Sequence, residues 1–373
     1  MNRAEIYIET GSVGILRLYD IAYSIDLSAA EAILEEDATV AAHRRRLTHA
    51  EPKAIAFDVP PVQLALGPIE APVAGQITRG QAFARVYDFG VISIHLRFLA
   101  EGIGWLELTR MANELDEWAS SADARRTWEM LKDETTALIR PALLRPTYSE
   151  LEEDYLLVTI NQLDQPLEAE EFLERVDPIP ILTGDLQPLS PGARADLLRH
   201  TYSYFINDLA ILSWDRALIY EPTPDSDVAD VLEVANAQLL ELSHYDDRLN
   251  AEIPQIYDRV AKARVGLRSL TRSPYADLAR DLYTFVAEIT ETLEKVDNAL
   301  KVTEDVYIAR VYNAALDLFR VRTRAANVDR KLEIIRDTYQ ALYDEAATAR
   351  SELLTIAIII LIALEILLTL AWW

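Results

Sequence analysis

The stretch QAFARVYDFGVISIHLRF, residues 81–98, decides the fold of the first part of the chain. Apolar side chains alternate with other residues on both sides of Tyr87–Gly90, the period of a β-strand with one buried face. The tetrapeptide YDFG carries Asp and Gly, which favour a tight connection. The stretch therefore predicts a β-hairpin.

Similar short apolar segments surround this hairpin in the first 220 residues. The predicted strands lie at 4–9, 13–19, 54–59, 62–66, 155–160, 202–206, 210–214 and 217–220. Helical spacing predicts helices at about 28–38, 105–119 and 123–140. Four prolines and two glycines at 176–192 indicate the longest loop. We expect a mixed α/β head at 1–220, followed by a linker at 221–227.

Helical periodicity dominates the chain after the linker. Apolar positions between Leu232 and Val260 alternate at spacings of three and four, and the pattern continues through Pro254. A second helix is expected at about 274–300, and another apolar seam runs from Val328 to Leu353. These patterns predict a coiled-coil stalk at 228–350. The seams fit packing of helices within one chain and pairing between chains.

The end of the chain, Leu353–Trp373, is almost entirely apolar and reads LLTIAIIILIALEILLTLAWW. A helix of about 20 apolar residues spans a bilayer. We therefore expect an anchor at 351–373, with the body cytoplasmic and the tail as its single span. The predicted fold class is α+β: a mixed α/β head and a helical coiled-coil bundle that continues into one transmembrane helix.

Composition excludes several chemistries. The chain has no cysteine, which rules out disulfides and thiolate sites, and its formal net charge of −25 disfavours nucleic acid as a direct ligand. None of the five histidines has a metal-ligand spacing, and no phosphate-binding or nucleophile motif occurs. The sequence therefore predicts no catalytic residue, no metal and no cofactor, and a protein that is not an enzyme.

Arginine clusters mark two candidate interaction sites. Arg44, Arg45 and Arg46 fit either contact with a phosphate or acidic partner, or a solvated loop. Residues 310–336 carry seven basic side chains against three acidic ones, whereas 225–258 carry nine acidic side chains against one basic. These helices fit mutual neutralisation within a bundle. The alternative is that the basic side chains bind an acidic partner through Arg320, Arg322 and Arg324.

Glu365 is the single charge within the apolar tail. A carboxylate in an apolar span costs free energy, which makes it a candidate for contact with another helix. The alternative is an acid near enough to the interface to reach water. The expected partners are the membrane and further copies of the chain, joined through stalk and anchor.

Three segments together resemble the required-for-meiotic-nuclear-division family in its bacterial form. They are Tyr87–Leu96, Leu232–Leu249 and Asn327–Leu368. The resemblance implies a membrane-anchored protein with a mixed head, a helical stalk and no established catalytic residue. Its bacterial form implies a location at the bacterial plasma membrane. Mitochondrial relatives in that family are needed for translation and are thought to tether ribosomes, which implies a protein or ribosomal partner.

Two functions follow as expectations. The first is a membrane-anchored, non-enzymatic scaffold that holds a cytoplasmic partner. The alternative is a small-molecule sensor or enzyme with a pocket in the head. A deep pocket lined by Arg44–Arg46, Asp88 and His95 would favour this alternative.

Overall fold

The structure is a computed structural model and describes residues 6–36, 42–44, 55–57, 60–147, 149–222, 227–265, 274–298, 300–302 and 306–371. Strands occupy much of the first 220 residues, and one further short strand lies at 300–302. They are β1 Tyr7–Asp20, β2 Ala22–Ile25, β3 Ala42–Arg44, β4 Ile55–Phe57, β5 Val62–Val73, β6 Gln76–Val86, β7 Val91–Ala100, β8 Ile103–Gly104, β9 Leu143–Pro146, β10 Glu152–Leu163, β11 Thr201–Tyr202, β12 Leu209–Leu212, β13 Arg216–Tyr220 and β14 Leu300–Val302.

Six α-helices lie between the strands of the first 220 residues, and four follow them in the described part of the chain. They are α1 Leu27–Glu36, α2 Trp105–Ala119, α3 Ala122–Leu138, α4 Ala169–Arg175, α5 Ile179–Thr183, α6 Pro191–Leu198, α7 Asp227–Val265, α8 Pro274–Asn298, α9 Val306–Leu318 and α10 Val321–Ala371. Helix α3 is capped by Ser121, whose hydroxyl accepts a hydrogen bond from the amide of Ala124. Helix α7 continues through Pro254, as the sequence predicts.

The largest sheet of the described residues is mixed, in the order β11-β12-β13-β10-β1-β7-β6-β5-β3, with β8 paired to one end of β1. Strand β1 lies at its centre and pairs antiparallel with both β7 and β10. Strand β13 pairs parallel with β10, whereas β5, β6 and β7 form a meander. The shorter pairs β2–β9 and β4–β14 lie outside this sheet.

The predicted hairpin is formed by β6 and β7. The amide of Tyr87 donates a hydrogen bond to the carbonyl of Val91, which closes the turn. Gly90 has φ +100°, and a Cβ there would lie 1.8 Å from the carbonyl oxygen of Ala22. Because that backbone approach leaves no room for a side chain, only glycine fits this turn.

Strand alternation gives the two faces of the sheet different characters. One face is apolar and buries alternate residues of β1, β6 and β7 against α2 and α3. The helices contribute Leu115 of α2 and Trp128 of α3 to this core. The opposite face carries polar side chains and is covered by the first turns of α7. At about 25 cal/mol per Å², burial of the first face supplies the main driving force for folding of the head.

The chain divides into two compact units. The first comprises Met1–His244 and Glu294–Arg322, and the second comprises Tyr245–Leu293 and Thr323–Trp373. Within the second unit, α7 contacts α10 through an ion pair between Lys331 Nζ and Asp246 Oδ1 at 2.6 Å. The rings of Tyr283 on α8 and Tyr339 on α10 lie 6.1 Å apart. These contacts favour packing of the seams within one chain.

Two parts of the predicted fold class are wrong. The first half of α7 is no coiled coil, because Asp230, Glu233, Asn236 and Glu241 are buried together with its apolar residues. A single-pass span needs about 20 consecutive apolar residues in one helix. Among the described residues, no helix combines the length and apolar character needed to cross a membrane. This finding overturns the predicted anchor at 351–373, the membrane as partner and the plasma-membrane location.

Smaller differences concern the connections. The proline-rich stretch 176–192 contains helix α5 and the start of α6, because proline is well tolerated in the first turn of a helix. The predicted strand at 202–206 is mostly a loop, in which Asp208 accepts hydrogen bonds from the amides of Tyr204 and Phe205. The prolines at 176–192 favoured a loop, and the aromatic and apolar residues at 202–206 favoured a strand. Both expectations are wrong for these segments.

Candidate functional site

The polar face of the sheet brings together side chains that are far apart in sequence. Arg85 on β6 and both Ser93 and His95 on β7 point to this face, since odd-numbered residues of the two strands share it. Asp230 and Glu233 on the first turns of α7 face them. The site therefore joins a hairpin and a helix separated by more than 130 residues.

Glu233 is the centre of this cluster. Its carboxylate pairs with Arg85, and its Oε1 lies 2.9 Å from Nε2 of His95. Nη1 of Arg85 also donates to Oδ1 of Asp230 at 2.8 Å. The four side chains are at most 9% exposed. They form a buried network in which the guanidinium is shared by two carboxylates.

The network fixes the protonation state of its members. Burial disfavours charge on Arg85, but Glu233 and Asp230 more than offset it, so the pKa of Arg85 lies above its ordinary value. Burial also opposes charge on Glu233, yet Arg85 and His95 hold the pKa of Glu233 well below its usual range. Burial lowers the pKa of His95, and Glu233 offsets this only in part. At neutral pH the imidazole is therefore uncharged.

This geometry differs from that of a nucleophilic triad. In a Ser-His-acid triad the serine and the acid contact opposite ring nitrogens, so that a proton can pass through the imidazole. Here Ser93 Oγ lies 3.1 Å from Nε2 of His95, the same nitrogen that contacts Glu233. Among the described residues, no group of three or more acids and histidines is arranged to hold a metal ion.

A cavity of about 130 Å³ adjoins the network, between the sheet and α7. Its walls come from β1, β6, β7, β10 and α7. The lining residues are Ser12, Gly14, Leu16, Phe83, Arg85, His95, Leu96, Arg97, Leu157, Thr159, Asn161, Ala229, Asp230 and Glu233. The ring of Phe83 stacks on His95 at a centroid distance of 4.3 Å. The cavity therefore offers hydroxyl, amide, aromatic and charged groups in a small volume.

A second polar cluster lies further along α7. Nδ1 of His244 is 3.0 Å from Oδ2 of Asp20, and the hydroxyl of Thr147 donates to Oδ1 of Asp20 at 3.1 Å. Glu241 is 1% exposed, and its Oε1 has no hydrogen-bond partner among the described residues. Burial and the nearby Asp20 raise the pKa of Glu241 well above its ordinary value. The carboxyl is therefore held in its neutral form.

The candidate residues predicted from the sequence whose side chains the structure describes lie outside the network. Arg45 and Arg46 lie outside the described residues, as does the side chain of Arg44. Arg320 is exposed with φ +56° between α9 and α10, and Arg322 pairs with Asp317 at 3.3 Å. Arg324 is partly exposed and belongs to the second unit.

Glu365 lies on an exposed part of α10. Of the residues named as a test for a head pocket, His95 does line the cavity, whereas Asp88 is not among its lining residues.

Sequence reasoning missed Arg85, Asp230 and Glu233. The available signal was the alternation in residues 81–98, which places Arg85 and His95 on one face of the hairpin. Acids three residues apart at 230 and 233 share one face of a helix. The two acids fall within a spacing of apolar residues that favours a coiled coil. No local feature of the sequence links them to the hairpin.

The comparisons with known proteins find one curated relative that matches this chain. "Uncharacterized protein MJ0711" from Methanocaldococcus jannaschii is 29% identical over 177 residues, which cover 47% of this chain and 53% of that protein. The chain thus spans about half the length of the curated relative that it matches. The comparison with solved structures gives no match.

The family comparison also corrects the resemblance drawn from the sequence. Nothing in the matches points to the required-for-meiotic-nuclear-division family. The segments that suggested it include apolar helix patterns, which unrelated helical proteins share. A family profile matches residues 10–227, more than half of the chain and most of the head. The chain belongs to the family described as "Uncharacterized protein MJ0711, N-terminal domain".

Proposed function

We propose that this protein is a non-enzymatic sensor that binds a compact polar ligand in the cavity between the sheet and α7. The observation that carries the proposal is the convergence of Arg85, His95 and Glu233 on one wall of that cavity. Buried charges that converge on a pocket are more frequent at binding sites than elsewhere. This function is the sensor named above as the alternative to a scaffold, and it requires no membrane span.

The cavity sets the size of the ligand. An apolar cavity of about 150 Å³ accepts benzene, so about 130 Å³ suits a molecule of at most about six non-hydrogen atoms. Ser12, Thr159 and Asn161 supply uncharged polar groups, and Phe83 supplies an aromatic face. Because Arg85 is already neutralised by two carboxylates, the ligand is uncharged or carries a single charge.

The geometry of His95 supports binding without catalysis. A neutral imidazole that donates from Nε2 to Glu233 keeps a lone pair on Nδ1. Its partners hold the ring in one orientation, and neither is placed to pass a proton through it. Helix α7 then gives the sensor its output, because the turns that carry Asp230 and Glu233 belong to a helix that continues to Val265.

The test fills the cavity and measures ligand binding. A Cβ at Gly14 would lie 3.7 Å from its nearest neighbours, so a larger side chain can enter the cavity without a backbone clash. Thermal unfolding is measured for wild type and Gly14→Val with a panel of small polyols and small monocarboxylic acids. At least one compound should raise the Tm of wild type and leave the Tm of Gly14→Val unchanged.

Gly14→Ala is the matched control, because its methyl group leaves most of the cavity open. Mass spectrometry of the incubated ligand tests the absence of catalysis, and the ligand should be recovered chemically unchanged. Equal Tm shifts in wild type and Gly14→Val would contradict the site. Formation of a product would contradict the non-enzymatic part.

A scaffold that holds a protein partner is the second candidate. The observation in its favour is a patch of exposed apolar side chains at Tyr204, Phe205, Ile206 and Val306, each more than 60% exposed. Such patches are frequent at protein interfaces. Crosslinking in cells should recover a common partner with wild type, and Phe205→Ser should remove it. Recovery of the same partner with the variant would contradict this candidate.

A further inference from the structure

A cleft of about 440 Å³ in the head lies apart from the cavity described above. One wall is the last part of α3 with the turn that follows, and the other is formed by Leu143, Pro146, Thr147, Ser149 and Glu150. Its volume falls within the range of about 300–1,000 Å³ that small-molecule sites occupy. The cleft is therefore large enough for a metabolite.

The α3 wall presents charged and hydroxyl groups in register. Lys132, Thr136 and Arg140 recur every four residues and share one side of the helix and its extension. Asp133 lies beside them, and Glu150 lies on the opposite wall. The cleft thus carries two cations and two carboxylates.

These four charged side chains do not neutralise one another. Among the described residues, none of them forms an ion pair within 4.0 Å, although all line the same cleft. The ammonium of Lys132 instead lies 4.9 Å from the ring centre of Tyr19. Both signs of charge therefore stay available to an occupant.

The hydroxyl of Thr136 also lacks a partner. Its Oγ1 is shielded from water and has no hydrogen bond within the described part of the chain. The neighbouring Thr135 shows the usual solution, since its hydroxyl donates to the carbonyl of Leu131 at 2.7 Å. Because Oγ1 of Thr136 is shielded from water, a ligand in the open cleft does not reach it, and the hydroxyl is not one of the proposed contacts.

We propose that this cleft binds an α-amino acid or another zwitterion of that size. The carboxylate contacts Lys132 and Arg140, and the ammonium contacts Asp133 and Glu150. A ligand with a single charge would leave either the two cations or the two carboxylates of the cleft without a partner.

The opposite wall connects the cleft to α7. Thr147 lines the cleft and donates to Asp20, which pairs with His244. Ser149 also lines the cleft, and its hydroxyl lies 3.5 Å from Nδ1 of His244. An occupant of the cleft therefore contacts the residues that hold this turn of α7.

The test is isothermal titration calorimetry of the full chain with each of the standard L-amino acids. Acetate and methylammonium are the single-charge probes. At least one amino acid should bind, and both single-charge probes should bind at least tenfold more weakly. Arg140→Met should weaken binding at least tenfold without lowering the Tm, because Arg140 is exposed and forms no ion pair among the described residues.

Gly14→Val is the control and should bind the same amino acid with unchanged affinity, which separates the cleft from the first cavity. No heat with any amino acid would overturn the proposal. Binding of acetate as tight as that of the best amino acid would overturn the zwitterion assignment. Unchanged affinity in Arg140→Met would place the ligand elsewhere.

Discussion

Glu233 on α7 and His95 on β7 form a buried hydrogen bond of 2.9 Å that joins the helix to the sheet. Glu233 is 1% exposed and keeps its charge because Arg85 lies beside it. A buried ionic contact thus holds the first turns of α7 against the polar face of the sheet. Changes to these groups should affect stability more than surface charges do.

Arg85→Met should destabilise the protein by about 3–5 kcal/mol, because it leaves two buried carboxylates without a cation. Arg79→Met on the same strand is the matched control. Arg79 pairs with Glu70, and both side chains are more than half exposed, so its loss should cost at most about 1 kcal/mol. Urea denaturation measures both values. Similar losses for the two variants would contradict the network.

Glu241→Gln should stabilise the protein at neutral pH by about 1–3 kcal/mol. The folded protein keeps this carboxyl protonated because burial and Asp20 raise its pKa, whereas the unfolded chain ionises it above about pH 4.3. The raised pKa therefore lowers stability as pH rises above that value. The gain from Glu241→Gln should disappear below about pH 4.

The control for this change is Asp258→Asn, an exposed acid on the same helix. Its Tm should stay close to that of wild type at every pH. A loss of stability in Glu241→Gln at pH 7 would show that the carboxyl is ionised and paired in the folded protein.

His95 and Glu233 should each contribute a step in the loss of stability as pH is lowered, opposite in sign to the effect of Glu241. The pKa of His95 is lowered by burial, so its contribution is present above about pH 6.5, the unfolded value, and is lost as pH falls below it. Glu233 also has a lowered pKa, and its contribution is lost as pH falls below about 4.3. Thermal unfolding from pH 8 to pH 3 measures both steps.

His95→Gln should remove the upper step and leave the lower one. Glu233→Gln should remove the lower step. An identical pH profile in wild type and His95→Gln would mean that the imidazole does not determine the upper step.

Gly90→Ala should destabilise the protein by about 3–5 kcal/mol. The strain of φ +100° adds to a clash with the Ala22 carbonyl, and each effect costs about 1–3 kcal/mol. Gly102→Ala is the control, with φ +65° and no neighbour within 4 Å of its Cβ, and should cost about 1 kcal/mol. Chemical denaturation compares the two. Equal costs would remove the role assigned to the Ala22 contact.

Local patterns were sufficient for several elements. The hairpin of β6 and β7, the bounds of α2 and the passage of α7 through Pro254 all follow from periodicity and turn residues. They depend on neighbouring residues, whose spacing reflects one helix or strand face. The same argument failed for the end of the chain, where an apolar run predicted a membrane span that the described helices do not provide.

The sequence by itself determined the hairpin, α2, α3 and the long helices after the linker, and it excluded thiol chemistry through the absence of cysteine. Only the tertiary structure decided that Arg85 and His95 face Asp230 and Glu233, and that a cavity lies beside them. The physical reason is range. Secondary structure follows from hydrogen bonds and side-chain periodicity over a few residues, whereas a buried ion network depends on which sheet face a distant helix covers.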